Sequence, residues 1–199
     1  PSVEYLRNKI RYRLLKHFAI ISLGPVDTVL LILKKQPERV ERIALDAHSM
    51  TSAELIKILF RNRFRNTVHY ETISGDPAEL LRSFDAVLII GDKAFSARRR
   101  LSNQTIIDLS EEWFNQTGKP FVHAVLSVRK DIELGEPILD VLLETETRIT
   151  ESISNLSKMP FDSLGLTSKQ CEDYFRNKIR YILDPEALEG LNLFEKFLS

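Results

Sequence analysis

Short apolar runs alternate with helix-forming segments along most of this 199-residue chain. Residues 28–33 and 85–90 are almost continuously apolar, which is typical of strands that are covered on both faces. The other runs with strand character are residues 18–22, 42–46, 67–73 and 121–128. Strands that alternate with helices predict an α/β fold with a mainly parallel sheet and a helical cover.

Helix-start signals separate these strands. Thr51 and Thr167 each stand three residues before a Glu or Gln, which predicts capping boxes. An Asp followed by Pro at 76–77 and at 184–185 predicts an N-cap with proline in the first helical position. Ser110 precedes a further helical segment, so we expect five capped helix starts.

The strand signal is lost after residue 128, where three helices are expected, the first of them from Pro137 to about residue 157. This asymmetry predicts two lobes, with the apolar strands 28–33 and 121–128 crossing between them. The expected domains are residues 1–34 and 121–199 for lobe 1, which is largely helical on its C-terminal side, and residues 35–120 for lobe 2.

Composition excludes several classes of function. The chain has 28 basic and 28 acidic residues, which argues against a nucleic-acid partner. It has one cysteine and four histidines without metal-ligand spacing, so we expect no disulfide framework and no metal. No apolar run reaches membrane-spanning length, and neither a secretory signal nor a nucleotide-binding fingerprint is visible. We therefore expect a cytoplasmic protein that has no cofactor and that binds a small organic molecule or a protein partner.

The sharpest candidate site is the segment 46–52, which lies between a predicted strand and a predicted helix and contributes Ser49, Thr51 and Ser52. The first N–H groups of a helix have no partner within it and lie at the positive end of its dipole. Hydroxyl groups add donors there, so the segment predicts a carboxylate site. Plain capping by Thr51 is the alternative interpretation.

Two further candidates adjoin predicted strands. Asp92 follows the strand that ends at Ile90, and ligands of open α/β sheets bind beyond such strand ends. Ser22 and Gly24 precede the strand 28–33, and a glycine lets the backbone approach a ligand closely. Turn formation alone would also explain Asp92 and Gly24.

Several segments, in order along the whole chain, resemble the chorismate dehydratase family. Asp46-Ala-His-Ser-Met-Thr-Ser52 looks like the Asp-x-x-Ser-x-Thr-Ser loop of that family, and Ile89-Ile-Gly-Asp92 looks like its Leu-Ile-Gly-Asp strand end. The other similar segments are 1–5, 22–31, 113–125 and 183–191.

The resemblance implies a two-lobed type-2 periplasmic-binding-protein-like fold with chorismate in the cleft. It implies a hydro-lyase that converts chorismate to 3-[(1-carboxyvinyl)oxy]benzoate without a cofactor, in the futalosine route to menaquinone. Chorismate is a dicarboxylate, so Ser49, Thr51 and Ser52 are expected to bind one carboxylate. Ser2 and the Ser22–Gly24 backbone would face the ligand from the other lobe, and Asp92 would orient it.

The family pattern also contains an N-terminal strand and a Ser-Tyr-Leu-Asn segment that are not present in these 199 residues. We therefore expect lobe 1 to be incomplete, and no catalytic residue is assigned. Two alternatives stay open: the related 1,4-dihydroxy-6-naphthoate synthase and a non-enzymatic solute-binding protein.

Overall fold

The structure is a computed structural model that describes residues 1–63, 68–156 and 164–198. It contains two compact units, one of residues 1–23 with 119–197 and one of residues 24–118. The strands are β1 (Tyr12–Ser22), β2 (Val29–Leu33), β3 (Arg42–Leu45), β4 (His69–Thr72), β5 (Ala86–Ile90), β6 (Thr105–Asp108), β7 (Phe121–Arg129) and β8 (Arg180–Ile182). The helices are α1 (Ser2–Arg7), α2 (Met50–Arg63), α3 (Pro77–Ser83), α4 (Asp92–Arg100), α5 (Leu109–Thr117), α6 (Glu136–Leu156), α7 (Ser168–Asp173) and α8 (Pro185–Leu198).

The unit of residues 24–118 is built on a five-stranded sheet with the order β4-β3-β5-β2-β6. Strand β3 pairs in parallel with β4 and β5, whereas β2 pairs antiparallel with β5 and β6. The reversed strand β2 makes the sheet mixed, but the other four strands run in one direction, in keeping with the prediction of a mainly parallel sheet. All five residues of β2 are buried, as its continuous apolar sequence predicted.

Strand β2 also determines where the chain divides. The predicted domain boundary placed residues 1–34 in lobe 1, but residues 24–34 group with the sheet of the other unit. The physical reason is that β2 is hydrogen-bonded along its length to both β5 and β6. The second division falls at residues 118–119, next to the predicted position at 120–121.

The other unit contains an antiparallel sheet with the order β7-β1-β8. Strand β1 begins at Tyr12, six residues before the predicted start, and its pairing with β7 contains register shifts. Strands β6 and β8 were missed, and β8 contradicts the expectation that no strand follows residue 128. Both are short, and their sequences lack the long apolar run that identified β2.

Three of the predicted helix starts are confirmed. The Asp76 carboxylate accepts a hydrogen bond from the Ala78 N–H, 2.9 Å away, with Pro77 in the first helical position. Thr167 forms the predicted capping box with Gln170. Asp184 accepts from the Ala187 N–H at 2.8 Å at the start of α8.

Two helix starts differ from the prediction. Helix α2 begins at Met50, and the Ala53 N–H donates to the Ser49 carbonyl, so Thr51 lies in the first turn and is not the N-cap. The N-cap of α5 is Asp108, not Ser110. No helix among the described residues is both long enough and apolar enough to span a membrane.

Helix α8 packs closely on Pro120, the residue before β7 in the same unit, at the position of Gly190. A Cβ atom on Gly190 would lie 2.1 Å from the Pro120 carbonyl oxygen, so the backbone would have to move. We expect Gly190→Ala to lower the free energy of unfolding by about 1–3 kcal/mol in urea denaturation, as overpacking does. Asn192→Ala, at an exposed position of the same helix, is the control and should change stability by at most about 0.5 kcal/mol. An unchanged Gly190→Ala variant would contradict this packing.

Candidate functional site

One edge of the five-stranded sheet collects most of the candidate residues. Strands β3, β5 and β6 end at this edge, and β2 begins there, since Val29 lies opposite Ile90 and Leu30 opposite Asp108. The segment 24–28, the segment 46–49 and the first turns of α2, α4 and α5 therefore share one edge. Ligands of open α/β sheets bind beyond such carboxyl ends.

The first turn of α2 carries the strongest signal for a ligand. Ser49 immediately precedes the helix and is only 4% exposed. Its hydroxyl oxygen is buried and has no hydrogen-bond partner. Such a group is destabilising unless it is satisfied, and it lies at the positive end of a 14-residue helix. Thr51 and Ser52, in the same turn, are also buried.

Two other helices of this unit, α3 and α5, have carboxylates of the chain itself at their N-termini. The Asp76 side chain caps α3 and also pairs with Arg100. The Asp108 side chain caps α5 through the Ser110 and Glu111 N–H groups. Their positive ends are thereby already supplied with negative charge, which distinguishes them from α2, where Ser49 is unpartnered.

Asp92 and Gly24 lie at the same edge as Ser49. Gly91 has φ +66° and precedes α4, and Asp92 is the first residue of that helix and is exposed. Gly24 has φ +83°, a conformation that favours glycine, and a Cβ atom there would have no neighbour within 4 Å. Of the predicted set, the structure thus brings Gly24, Ser49, Thr51, Ser52 and Asp92 to one sheet edge.

Asp108 is a functional candidate that sequence reasoning missed. It is 6% exposed. Its Oδ2 atom accepts from the N–H groups of Val26 at 2.9 Å and Asp27 at 2.7 Å, and its Oδ1 atom accepts from those of Ser110 and Glu111. Burial raises the pKa of this carboxyl, while the four backbone donors oppose that shift by favouring the charged form. The sequence signal that could have identified it is its position directly before the helical segment Leu109-Ser-Glu-Glu, which is typical of an N-cap.

Other carboxylates at this edge are also paired within the unit. Asp27 is paired with Arg98 of α4. Asp46 accepts from the His48 backbone N–H at 2.9 Å and lies 3.3 Å from the His48 ring. The positive charge of Arg98 reduces the repulsion that Asp27 would exert on an anionic ligand at this edge of the sheet.

The candidates of the other unit form internal hydrogen bonds. The buried Ser2 hydroxyl donates to the Val122 carbonyl at 2.6 Å. A hydroxyl has a single hydrogen, so while this bond holds Ser2 has no hydrogen to donate to a carboxylate. Ser2 therefore ties α1 to β7.

Ser22 is buried at the end of β1, and its Oγ atom lies 2.9 Å from Nε2 of His123 on β7. The His123 ring packs edge-to-face on Phe121. Burial lowers the pKa of His123 to about 4, so the imidazole is neutral at physiological pH. A neutral imidazole has one donor and one acceptor nitrogen, so Ser22 and His123 share one hydrogen bond, which joins β1 to β7.

No group of three or more potential metal ligands occurs among residues 1–63, 68–156 and 164–198. Cys171, the single cysteine, is buried, and burial raises the pKa of its thiol. A raised pKa keeps the thiol protonated and disfavours its use as a nucleophile.

Comparison with solved structures defines the class of fold. A crystal structure of a protein from Archaeoglobus fulgidus matches with a TM-score of 0.65 and 17% identity, covering 98% of this chain and 75% of that chain. The periplasmic aliphatic sulphonate binding protein of Escherichia coli matches with a TM-score of 0.51 and 12% identity, covering 98% and 77%. The two sheets and these neighbours define a type-2 periplasmic-binding-protein-like α/β fold, as predicted.

Sequence comparison then gives the family. The chain belongs to the menaquinone biosynthesis family, whose model matches residues 1–199. It is 28% identical over 213 aligned positions to chorismate dehydratase of Thermus thermophilus, which covers all of this chain and 78% of that protein. The predicted family resemblance is thereby confirmed.

The environment of His123 predicts a pH dependence of stability. Its pKa is about 4 in the folded chain against an ordinary value of 6.5. The unfolded chain therefore binds a proton that the folded chain does not bind between those values, and stability should fall as the pH falls through that window. Urea denaturation at several pH values should show this slope reduced in His123→Gln. An NMR titration that placed the His123 pKa near 6.5 would contradict the assignment.

Proposed function

We propose that this protein is a chorismate dehydratase that binds one carboxylate of chorismate at the first turn of α2. Membership of the menaquinone biosynthesis family and the similarity to the Thermus thermophilus chorismate dehydratase support the reaction. The buried, unpartnered Ser49 hydroxyl supports the position of the site. A cytoplasmic location belongs to the same proposal, because the reaction is a biosynthetic step on a small metabolite.

The reaction removes water from the ring of chorismate. A hydrogen and a hydroxyl group leave adjacent ring carbons, and the ring becomes aromatic in 3-[(1-carboxyvinyl)oxy]benzoate. The change involves no oxidation or reduction, so the proposed reaction requires no redox cofactor. The protein must hold a dianion, orient the departing groups and exclude competing water.

The contribution of α2 follows from its electrostatics. A carboxylate at the helix start would accept hydrogen bonds from the Ser49 hydroxyl and from first-turn N–H groups. The buried position of Ser49, Thr51 and Ser52 strengthens these interactions, because charges interact more strongly in a medium of low dielectric constant. Binding would also satisfy the one buried side-chain polar atom that lacks a partner among the described residues.

The remaining predicted residues take supporting roles in this proposal. Gly24 presents backbone without a side chain at the same sheet edge as Ser49, and Asp92 orients the ligand from the start of α4. In the other unit, Ser22 has a structural role, because its Oγ atom is hydrogen-bonded to the His123 ring. Ser2 supports β7, since its hydroxyl hydrogen is used by Val122.

The experiment that tests the reaction is incubation of the purified protein with chorismate, followed by chromatography of the products. We expect chorismate to be consumed and 3-[(1-carboxyvinyl)oxy]benzoate to accumulate in equal amount. Binding of chorismate without consumption would contradict the enzymatic proposal and favour a solute-binding protein. Absence of both binding and consumption would contradict the choice of substrate.

Ser49→Ala tests the carboxylate site. We expect chorismate affinity to fall about tenfold or more, since a hydrogen bond to a charged group is lost. The free energy of unfolding should not fall, because the Ser49 hydroxyl forms no hydrogen bond within the protein. Calorimetric titration and urea denaturation measure the two quantities.

Ser96→Ala is the matched control for this variant. Ser96 lies on α4 of the same unit, and its hydroxyl donates to the Lys93 carbonyl within that helix. We expect Ser96→Ala to leave chorismate affinity unchanged. Equal affinities of Ser49→Ala and the wild type would show that the first turn of α2 does not bind the substrate.

A further inference from the structure

We propose that Asp108 is a positioning residue, whose buried carboxylate holds the segment 24–28 in the conformation that presents Gly24 at the ligand-binding edge. The inference rests on the proposed function for its effect on chorismate. The Asp108 side chain and the segment 24–28 both belong to the unit of residues 24–118.

The conformation of this segment is costly by itself. Asp27 has φ +65° and is the one non-glycine residue with positive φ among the described residues. Gly24, three residues earlier, also has positive φ. Aspartate tolerates the left-handed region better than most residues do, but the conformation is still unfavourable unless its surroundings support it. Contacts from outside the segment are therefore expected to hold it.

Asp108 supplies that support. Its Oδ2 atom accepts from two consecutive backbone N–H groups, those of Val26 and Asp27, at 2.9 and 2.7 Å. These are charge-assisted bonds to a buried acceptor, which are stronger than bonds between neutral groups. The bond to the Asp27 N–H acts on the very residue that has the unfavourable φ angle.

Two contacts from the β5–α4 region complete the support. Arg98 of α4 pairs with the Asp27 carboxylate. The Gly91 N–H donates to the Thr28 carbonyl at 2.8 Å, at the start of the helix that carries Arg98. The segment 24–28 is thus fixed to the ends of β5 and β6, where the proposed ligand binds.

An ordinary capping residue would not need this arrangement. Asp76 shows the simpler case, because it caps α3 through the Ala78 N–H and pairs with Arg100, but it forms no bond to the segment 24–28 in the described structure. Asp108 caps α5 with Oδ1 and directs Oδ2 to a segment 81–82 positions away in sequence. The second oxygen is the feature that capping does not explain.

The test compares Asp108→Asn with Asp76→Asn in steady-state turnover of chorismate. An amide has one accepting oxygen, so asparagine at position 108 cannot satisfy both pairs of N–H groups. We expect Asp108→Asn to raise KM about tenfold or more, with a smaller effect on kcat. Asp76→Asn should leave KM unchanged. Equal KM values for the two variants would overturn the proposal.

A second pair of variants covers the case in which Asp108→Asn does not fold. Arg98 and Arg100 are exposed residues of α4 that pair with Asp27 and Asp76 respectively. We expect Arg98→Met to raise KM about two- to fivefold, in keeping with an exposed ion pair. Arg100→Met should not change KM. No difference between these two variants would also overturn the proposal.

Hydrogen exchange separates this inference from the proposed function. If the wild-type protein does not consume chorismate, the proposed function fails, and the amide protons of Val26 and Asp27 decide the inference. Their protection should fall in Asp108→Asn and Arg98→Met and persist in Asp76→Asn and Arg100→Met. Unchanged protection in all four variants would refute the positioning role.

Discussion

The reversed strand β2 is the constraint on which the arrangement of the candidate site depends. It lies between β5 and β6 and is buried along its whole length, so the hydrophobic effect and two ladders of hydrogen bonds hold it there. Because β2 runs opposite to β5 and β6, the segment 24–28 that precedes β2 lies at the edge where β5 and β6 end. Gly24 is thereby placed at the same sheet edge as the first turns of α2 and α4.

The charges near this edge differ in whether the chain itself supplies them with a partner. The starts of α2, α4 and α5 are there, and a helix start attracts an anion unless the chain itself supplies one. Asp76 and Asp108 close α3 and α5, and the carboxylate of Asp27 is paired with Arg98. Ser49 has no such partner, and this contrast is the basis for placing a substrate carboxylate at α2. The same contrast gives Asp108 two tasks, because its second oxygen supports the segment 24–28.

Local signals were sufficient for much of the fold and for part of the site. The apolar run of β2, the proline-assisted starts of α3 and α8, and the family segments around Ser49 and Asp92 could all be predicted from neighbouring residues. Strand direction could not, because the partners of β2 are more than fifty residues away in sequence. Asp108 was missed for the same reason, since its bonds to Val26 and Asp27 exist only after the sheet has formed. Thr51 was mistaken for the N-cap because Ser49, which directly precedes the helix, is also a hydroxyl residue and lies only two positions earlier.

Chorismate added to isotopically labelled protein, with the backbone amide resonances followed by NMR, tests the central claim most directly. The account predicts that the amides of Ser49, Met50, Thr51 and Ser52 shift together in a saturable manner, while those of Ala78 and Ser110, at the carboxylate-capped starts of α3 and α5, stay in place. Saturable binding that shifted the amides at α3 or α5 and left those of α2 unchanged would contradict it.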